Sequence, residues 1–205
     1  MNTASNAQLS ELVDDGRIWR GRELATLRAE PSGFAQLDAQ LPGGGWPCGA
    51  LSEILYPRPG VGELSLALPM LARLTQSGKR VAFIAPPLTP YAPALAQAGL
   101  ELARVLVIAA PEPTDALWAA EQLLRARAAA VLIWARRTDG QALRRLQLAA
   151  EAGQGLALLY RPEAAARESS PAALRLRIWR EAGSPRVELL KRRGGHAGQR
   201  VALAQ

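Results

Sequence analysis

A chain of 205 residues is long enough to bury one sizeable core and too short for two comfortable domains. Hydrophobic residues make up 49% of it, which excludes a disordered protein, while one cysteine (Cys48) and one histidine (His196) exclude an internal disulfide and a zinc cage. The net charge of +7 is uneven: from Gln122 onward 16 Arg/Lys face six Asp/Glu, whereas up to Glu121 nine face twelve.

Residues 1–30 read as a polar leader. Met1 to Asp15 has no apolar stretch, so no secretory signal is expected, and no apolar run is long enough to span a bilayer. A cytoplasmic protein is the expectation. Arg17-Ile18-Trp19-Arg20-Gly21-Arg22 sets a tryptophan among arginines, two residue types favoured as interface anchors, so Trp19, Arg20 and Arg22 are candidate partner contacts.

The core is expected over residues 31–190. Phe34, Leu37 and Leu41 keep helical spacing after Ser32, the expected cap, and Pro42-Gly43-Gly44-Gly45-Trp46-Pro47 is a turn cluster. A strand over Ala50–Leu55 follows. Glu63–Leu74 has the spacing of a helix, in which Pro69 predicts a kink or an early stop. Strands are predicted over Arg80–Ala85, Arg104–Ala109, Ala130–Ala135 and Leu156–Tyr160. Helices are predicted between them over Pro90–Ala98, Thr114–Ala128 and Asp139–Ala152. Short apolar strands alternating with helices imply an α/β fold, a mainly parallel sheet covered on both faces.

The end of the chain differs. Ala173–Trp179 alternates strictly, Gly183-Ser184-Pro185 turns, and Arg186–Leu190 alternates again, which predicts an antiparallel hairpin with one wet face. Residues 191–205 show no periodicity and read as a basic, flexible tail. Arg175, Arg177, Lys191, Arg192 and Arg193 are candidate contacts for a partner or for DNA phosphates.

Between the first core strand and its helix lies Ile54-Leu55-Tyr56-Pro57-Arg58-Pro59-Gly60-Val61-Gly62-Glu63-Leu64-Ser65. A phosphate loop of the G-x-x-x-x-G-K-[ST] kind needs Lys and then Ser or Thr after its last glycine, the Lys for the β- and γ-phosphates and the hydroxyl for Mg²⁺. Here Glu63 and Leu64 stand in those positions. An anion in place of a cation about 4 Å from a phosphate changes the interaction by roughly 2 to 8 kcal/mol, depending on burial. Gly60 and Gly62 read as turn glycines, and an anion contact at Arg58 is the lesser alternative. Gly60, Gly62, Glu63 and Leu64 thus mark a degenerate loop for which neither nucleotide nor metal is expected as cofactor.

The order Ser32-Gly33-Phe34, Leu37-Asp38, Gly43-Gly44-Gly45-Trp46-Pro47 and Gly49-Ala50-Leu51-Ser52-Glu53-Ile54 resembles the entry into the core of RecA-type recombinases. The resemblance extends over roughly residues 31–190. It implies a RecA-like core in which Pro87 replaces the water-activating carboxylate and Ala135 the Mg²⁺-associated Asp; Asp139 reads as a helix-start residue instead. With Glu63 and Leu64 these are four losses in four roles, and a non-enzymatic protein is implied. More narrowly, G-G-G-W-P, P-G-V-G-E-L-S-L and A-P-P with P-Y-A-P-A-L resemble the ImuA-type, SulA-like proteins of bacterial mutagenesis cassettes. That resemblance implies an adaptor in SOS-inducible error-prone translesion DNA synthesis, nucleoid-associated when in complex. Its implied partners are the RecA recombinase, the polymerase-like protein ImuB and, through ImuB, an error-prone replicative-type polymerase subunit. Residues 8–27 are then the candidate recombinase contact. The alternative is a SulA-type inhibitor binding the tubulin-like division GTPase.

Overall fold

The computed structural model describes residues 28–192 and 198–203. Trp19, Arg20, Arg22, Arg193 and His196 therefore lie outside the described residues, as does the proposed recombinase contact. Two short strands, β1 (Ala29–Glu30) and β2 (Trp46–Pro47), pair antiparallel and close the glycine turn onto the core. Trp46 is fully buried there. Between them α1 is only Ala35–Asp38. Ser32 does not cap it directly, as the spacing suggested: its Oγ accepts from Phe34 N–H, and Asp38 Oδ1 accepts from Ser32 N–H.

The main sheet has eight strands. They are β3 (Ala50–Tyr56), β4 (Val81–Ile84), β5 (Val105–Ile108), β6 (Ala130–Trp134), β7 (Leu156–Pro162), β8 (Leu174–Glu181), β9 (Ser184–Arg192) and β10 (Gln199–Ala202). In space they run β10-β9-β8-β3-β7-β6-β4-β5. The six from β8 to β5 are parallel, and β9 and β10 continue the sheet antiparallel. The mixed α/β architecture with a hairpin after a parallel sheet agrees with the sequence reading. The tail does not: Lys191 and Arg192 end β9, and residues 199–202 form a strand whose Val201 is buried with the neighbouring Leu203. Alternation was there to see, but across four residues it was too short to register.

Each face carries its own core. On one face α2 (Leu68–Gln76) and α3 (Ala92–Gln97) cover Ile54, Phe83, Leu132, Leu158 and Leu176. On the other, α4 (Pro113–Arg125) and α5 (Gly140–Gly153) cover Leu51, Ala82, Val131, Ile133 and Leu159. Strands buried on both sides read as continuous apolar runs, which is why they were legible. Helices α4 and α5 close on one another at Gly153, where a Cβ would stand 1.8 Å from the Leu124 carbonyl oxygen. Helix α2 corrects the expectation for Pro69. The proline neither kinks nor stops the helix but begins it, in the first turn, where a missing N–H costs nothing. Residues 63–67 are turns, so the helix opens five residues later than the spacing suggested.

Strands β7 and β8 flank β3 and run parallel to it, so residues 163–173 must cross back over the sheet. They do so on the α4/α5 face, beginning with a 3-10 helix at Glu163–Arg167. Among the described residues no helix is long and apolar enough to cross a membrane.

Candidate functional site

The glycine turn after β3 is the first place where local sequence sets up chemistry. Gly60 and Gly62 have φ of +86° and +99°, backbone that side-chain-bearing residues rarely adopt, so their presence follows from the turn itself. Turning there folds Glu63 back on the loop. Both carboxylate oxygens of Glu63 accept from Gly60 N–H, at 3.0 and 3.1 Å, and the residue is buried. The amide donor that a phosphate would use is therefore occupied by the protein's own anion. Leu64 packs against the core rather than presenting a polar group.

The other expected losses are placed as follows. Pro87 is exposed beyond the end of β4, and Ala135 is buried, its N–H donating to the Tyr160 carbonyl at 3.3 Å. Asp139 caps α5, its Oδ1 accepting from Ala142 N–H at 2.7 Å, as the sequence implied. Arg58 is exposed.

Beside Glu63 the sheet carries a row of aromatic rings. Trp134 stacks on Tyr160 at 4.6 Å between centroids, with Phe83 stacked on its other side at 6.0 Å. The Tyr160 hydroxyl is buried without a hydrogen-bond partner among the described residues. Burial, and then the Glu63 charge and Tyr56, push its ionisation far above the ordinary tyrosine range. Tyr56 is raised too, by burial first and then by Glu63, with Arg136 opposing. The site thus joins a fixed carboxylate to stacked rings, with Glu63 where a phosphate loop would carry its lysine.

The expected basic contacts are engaged inside the fold. Arg175 is buried: its Nε donates to Glu53 Oε2 at 2.6 Å, and its Nη atoms to the carbonyls of Ala165 and Glu168 at 2.7 and 3.0 Å. Arg161 reaches the same carboxylate at 3.4 Å and Glu168 at 2.5 Å. This corrects the wet-face reading of β8, because the crossover lies over Arg175 and dries it. Arg177 is held by Glu163 and Glu188, and bonding to Glu188 first and foremost raises its pKa. Lys191 Nζ donates to the Ser170 carbonyl at 2.8 Å, and Arg192 to the Gln40 carbonyl. Arg175 and Arg177 are thus paired with carboxylates, whereas Lys191 and Arg192 are bonded to neutral carbonyls.

Two surface features were missed in the sequence. Among the described residues edge strand β5 pairs only with β4; it exposes Leu106 and Val107, and Trp118 of α4 is 64% exposed. At the other end, Arg177 and Arg200 flank the Trp179 ring at 5.8 and 5.9 Å.

A protein-family model described as "Cell division inhibitor SulA" matches residues 49–157. No curated protein matches the chain. Among solved structures, that of SulA from Pseudomonas aeruginosa is similar, with 29% identity and a TM-score of 0.46 over 54% of this chain and 97% of that chain. The family match runs from the turn before β3 through the glycine turn and helices α2 to α5 into β7, over half of the chain, and the protein belongs to the SulA family.

Proposed function

We propose that this SulA-family protein is a non-catalytic docking adaptor in error-prone translesion DNA synthesis, a RecA-like core kept for protein contacts. The observation that carries the non-catalytic reading is Glu63 closed on Gly60 N–H. A turn filled by its own carboxylate repels the triphosphate that hydrolysis needs. The translesion reading is supported by the ImuA-like strings and by what lies beyond the matched family segment. Residues 158–203 add β8, β9 and β10, and the crossover locks them to β3 through Glu53 and Arg175. Its partners are the RecA recombinase and ImuB, with an error-prone polymerase subunit joined through ImuB. The apolar edge at β5 and Trp118 offers a surface of the kind protein partners cover. The protein acts in the cytoplasm, at the nucleoid when in complex.

A second reading is favoured by the printed description of the matching family: inhibition of cell division through the tubulin-like GTPase. One pull-down separates the two. The tagged full chain is offered recombinase, ImuB and division GTPase together. Retention of recombinase and ImuB is expected, and retention of the GTPase alone would overturn the translesion reading. Direct phosphate contact with DNA has its own signature, binding that weakens steeply with salt.

A further inference from the structure

At the end of the sheet opposite Glu63, the chain leaves a recess of about 420 Å³ where β4, β6 and β7 begin. Arg28, Lys79, Arg80 and Arg127 line it, with Glu30 the one carboxylate among the lining residues. Lys79 is paired with Glu30 at 3.5 Å. Arg80 and Arg127 are exposed, and their side chains have no partner among the described residues. The floor is apolar, from Leu74 and Leu156, and the half-buried Cys48 thiol opens into it. Burial raises the pKa of that thiol, Glu30 adds to the effect, and Arg28 and Lys79 oppose it, so these charges bear on the recess interior.

We propose that this recess docks an acidic peptide segment of a partner protein, its carboxylates held by Arg28, Arg80 and Arg127 and one apolar side chain resting on the floor. Three arginines lining one concavity match carboxylates, which arginine engages through paired N–H bonds. A nucleic acid is the poorer fit. A duplex is tracked by cations spread along its phosphates, whereas here they line one half-open recess the size of a few side chains. The inference stands apart from the translesion reading, since it asks nothing of the glycine turn or of any named partner.

Cys48 is the chain's one cysteine and so reports on the recess without labelling elsewhere. The rate of its alkylation by iodoacetamide is measured on the full chain with a Glu-Asp-Leu-Glu-Asp-Leu peptide, with the Gln-Asn-Leu-Gln-Asn-Leu counterpart, and with a short DNA duplex. The acidic peptide is expected to protect the thiol and the amide peptide and duplex to leave it reactive. Binding of the fluorescein-labelled acidic peptide should weaken about tenfold in Arg80→Gln/Arg127→Asn, the loss of about 1.4 kcal/mol. Asparagine tolerates the positive φ of Arg127, so the variant keeps its turn. Raising the salt concentration on the wild-type chain should lower affinity in the same sense without any substitution. Equal protection by the two peptides, stronger protection by the duplex, or affinity indifferent to both the variant and salt would overturn the proposal.

Discussion

Glu53 of β3 and Arg175 of β8 meet at 2.6 Å across adjacent parallel strands, with the carboxylate fully buried. Arg161 of β7 reaches the same carboxylate from the other side, and Ser170 Oγ donates to it at 2.8 Å. One buried anion therefore ties three neighbouring strands, while Arg175 also donates to the Ala165 and Glu168 carbonyls of the crossover. Glu53→Ala is expected to leave the buried Arg175 guanidinium without its counter-charge and Arg161 with Glu168 alone, at a cost of about 3–5 kcal/mol. Urea unfolding would show it as a lower midpoint at unchanged slope. A double-mutant cycle with Arg175→Met should be non-additive; additive losses would mean that the two residues act independently.

That cluster also marks where the sequence stops being legible. The parallel strands announced themselves as apolar runs, and Asp139 as a helix cap. Arg175 did not, because alternation in Leu174-Arg175-Leu176-Arg177-Ile178 looks the same whether the polar side meets water or a crossing segment. The warning was on β3, where Glu53 interrupts an apolar strand and needs a partner that only the fold supplies. Glu63 was legible as a departure from the phosphate-loop pattern, but its closure on Gly60 was not, since that depends on how the turn folds back. Pro69 was misread because a proline inside an apolar periodic run and one at a helix start differ by where the turn ends.

Tyr160 and Tyr56 give the protein an alkaline liability. Both hold their protons in the folded state above the range where a free tyrosine, near pH 10, lets go. Below that pH both folded and unfolded chains are protonated and nothing changes. Above it the unfolded chain binds fewer protons, so stability falls as pH rises. Tyr160→Phe removes a buried hydroxyl with no partner among the described residues and is expected to be neutral or mildly stabilising at pH 7. It should also flatten the alkaline limb of the melting temperature against pH. A limb unchanged in both Tyr160→Phe and Tyr56→Phe would remove these residues as its cause.

Placing a lysine at position 63 should not create an ATPase. In Glu63→Lys the internal anion is gone, yet Leu64, Pro87 and Ala135 still offer no metal ligand and no base. ATP hydrolysis should remain at background with or without single-stranded DNA, while stability drops by about 1.5–3 kcal/mol for the lost charge-assisted bond to Gly60 N–H. Turnover in this variant would show that one residue separates the chain from catalysis.

The edge at β5 separates binding from folding. Trp118 is 64% exposed, so its truncation uncovers no core, and Trp118→Ala should change stability by no more than about 0.5 kcal/mol. Leu106 is also exposed, on a strand paired along one side only, and Leu106→Lys adds a charge of the kind that blunts open sheet edges. If a protein partner covers this edge, Trp118→Ala costs it an aromatic anchor, and affinity should fall about tenfold or more at unchanged melting temperature. A fall in stability with affinity intact would instead make Trp118 a packing residue of α4. Both variants unaffected in recombinase, ImuB and division-GTPase binding would move the interface away from β5, towards the Trp179 face of the antiparallel strands. There Arg177 and Arg200 both approach the Trp179 ring, and Trp179→Ala is the matching test.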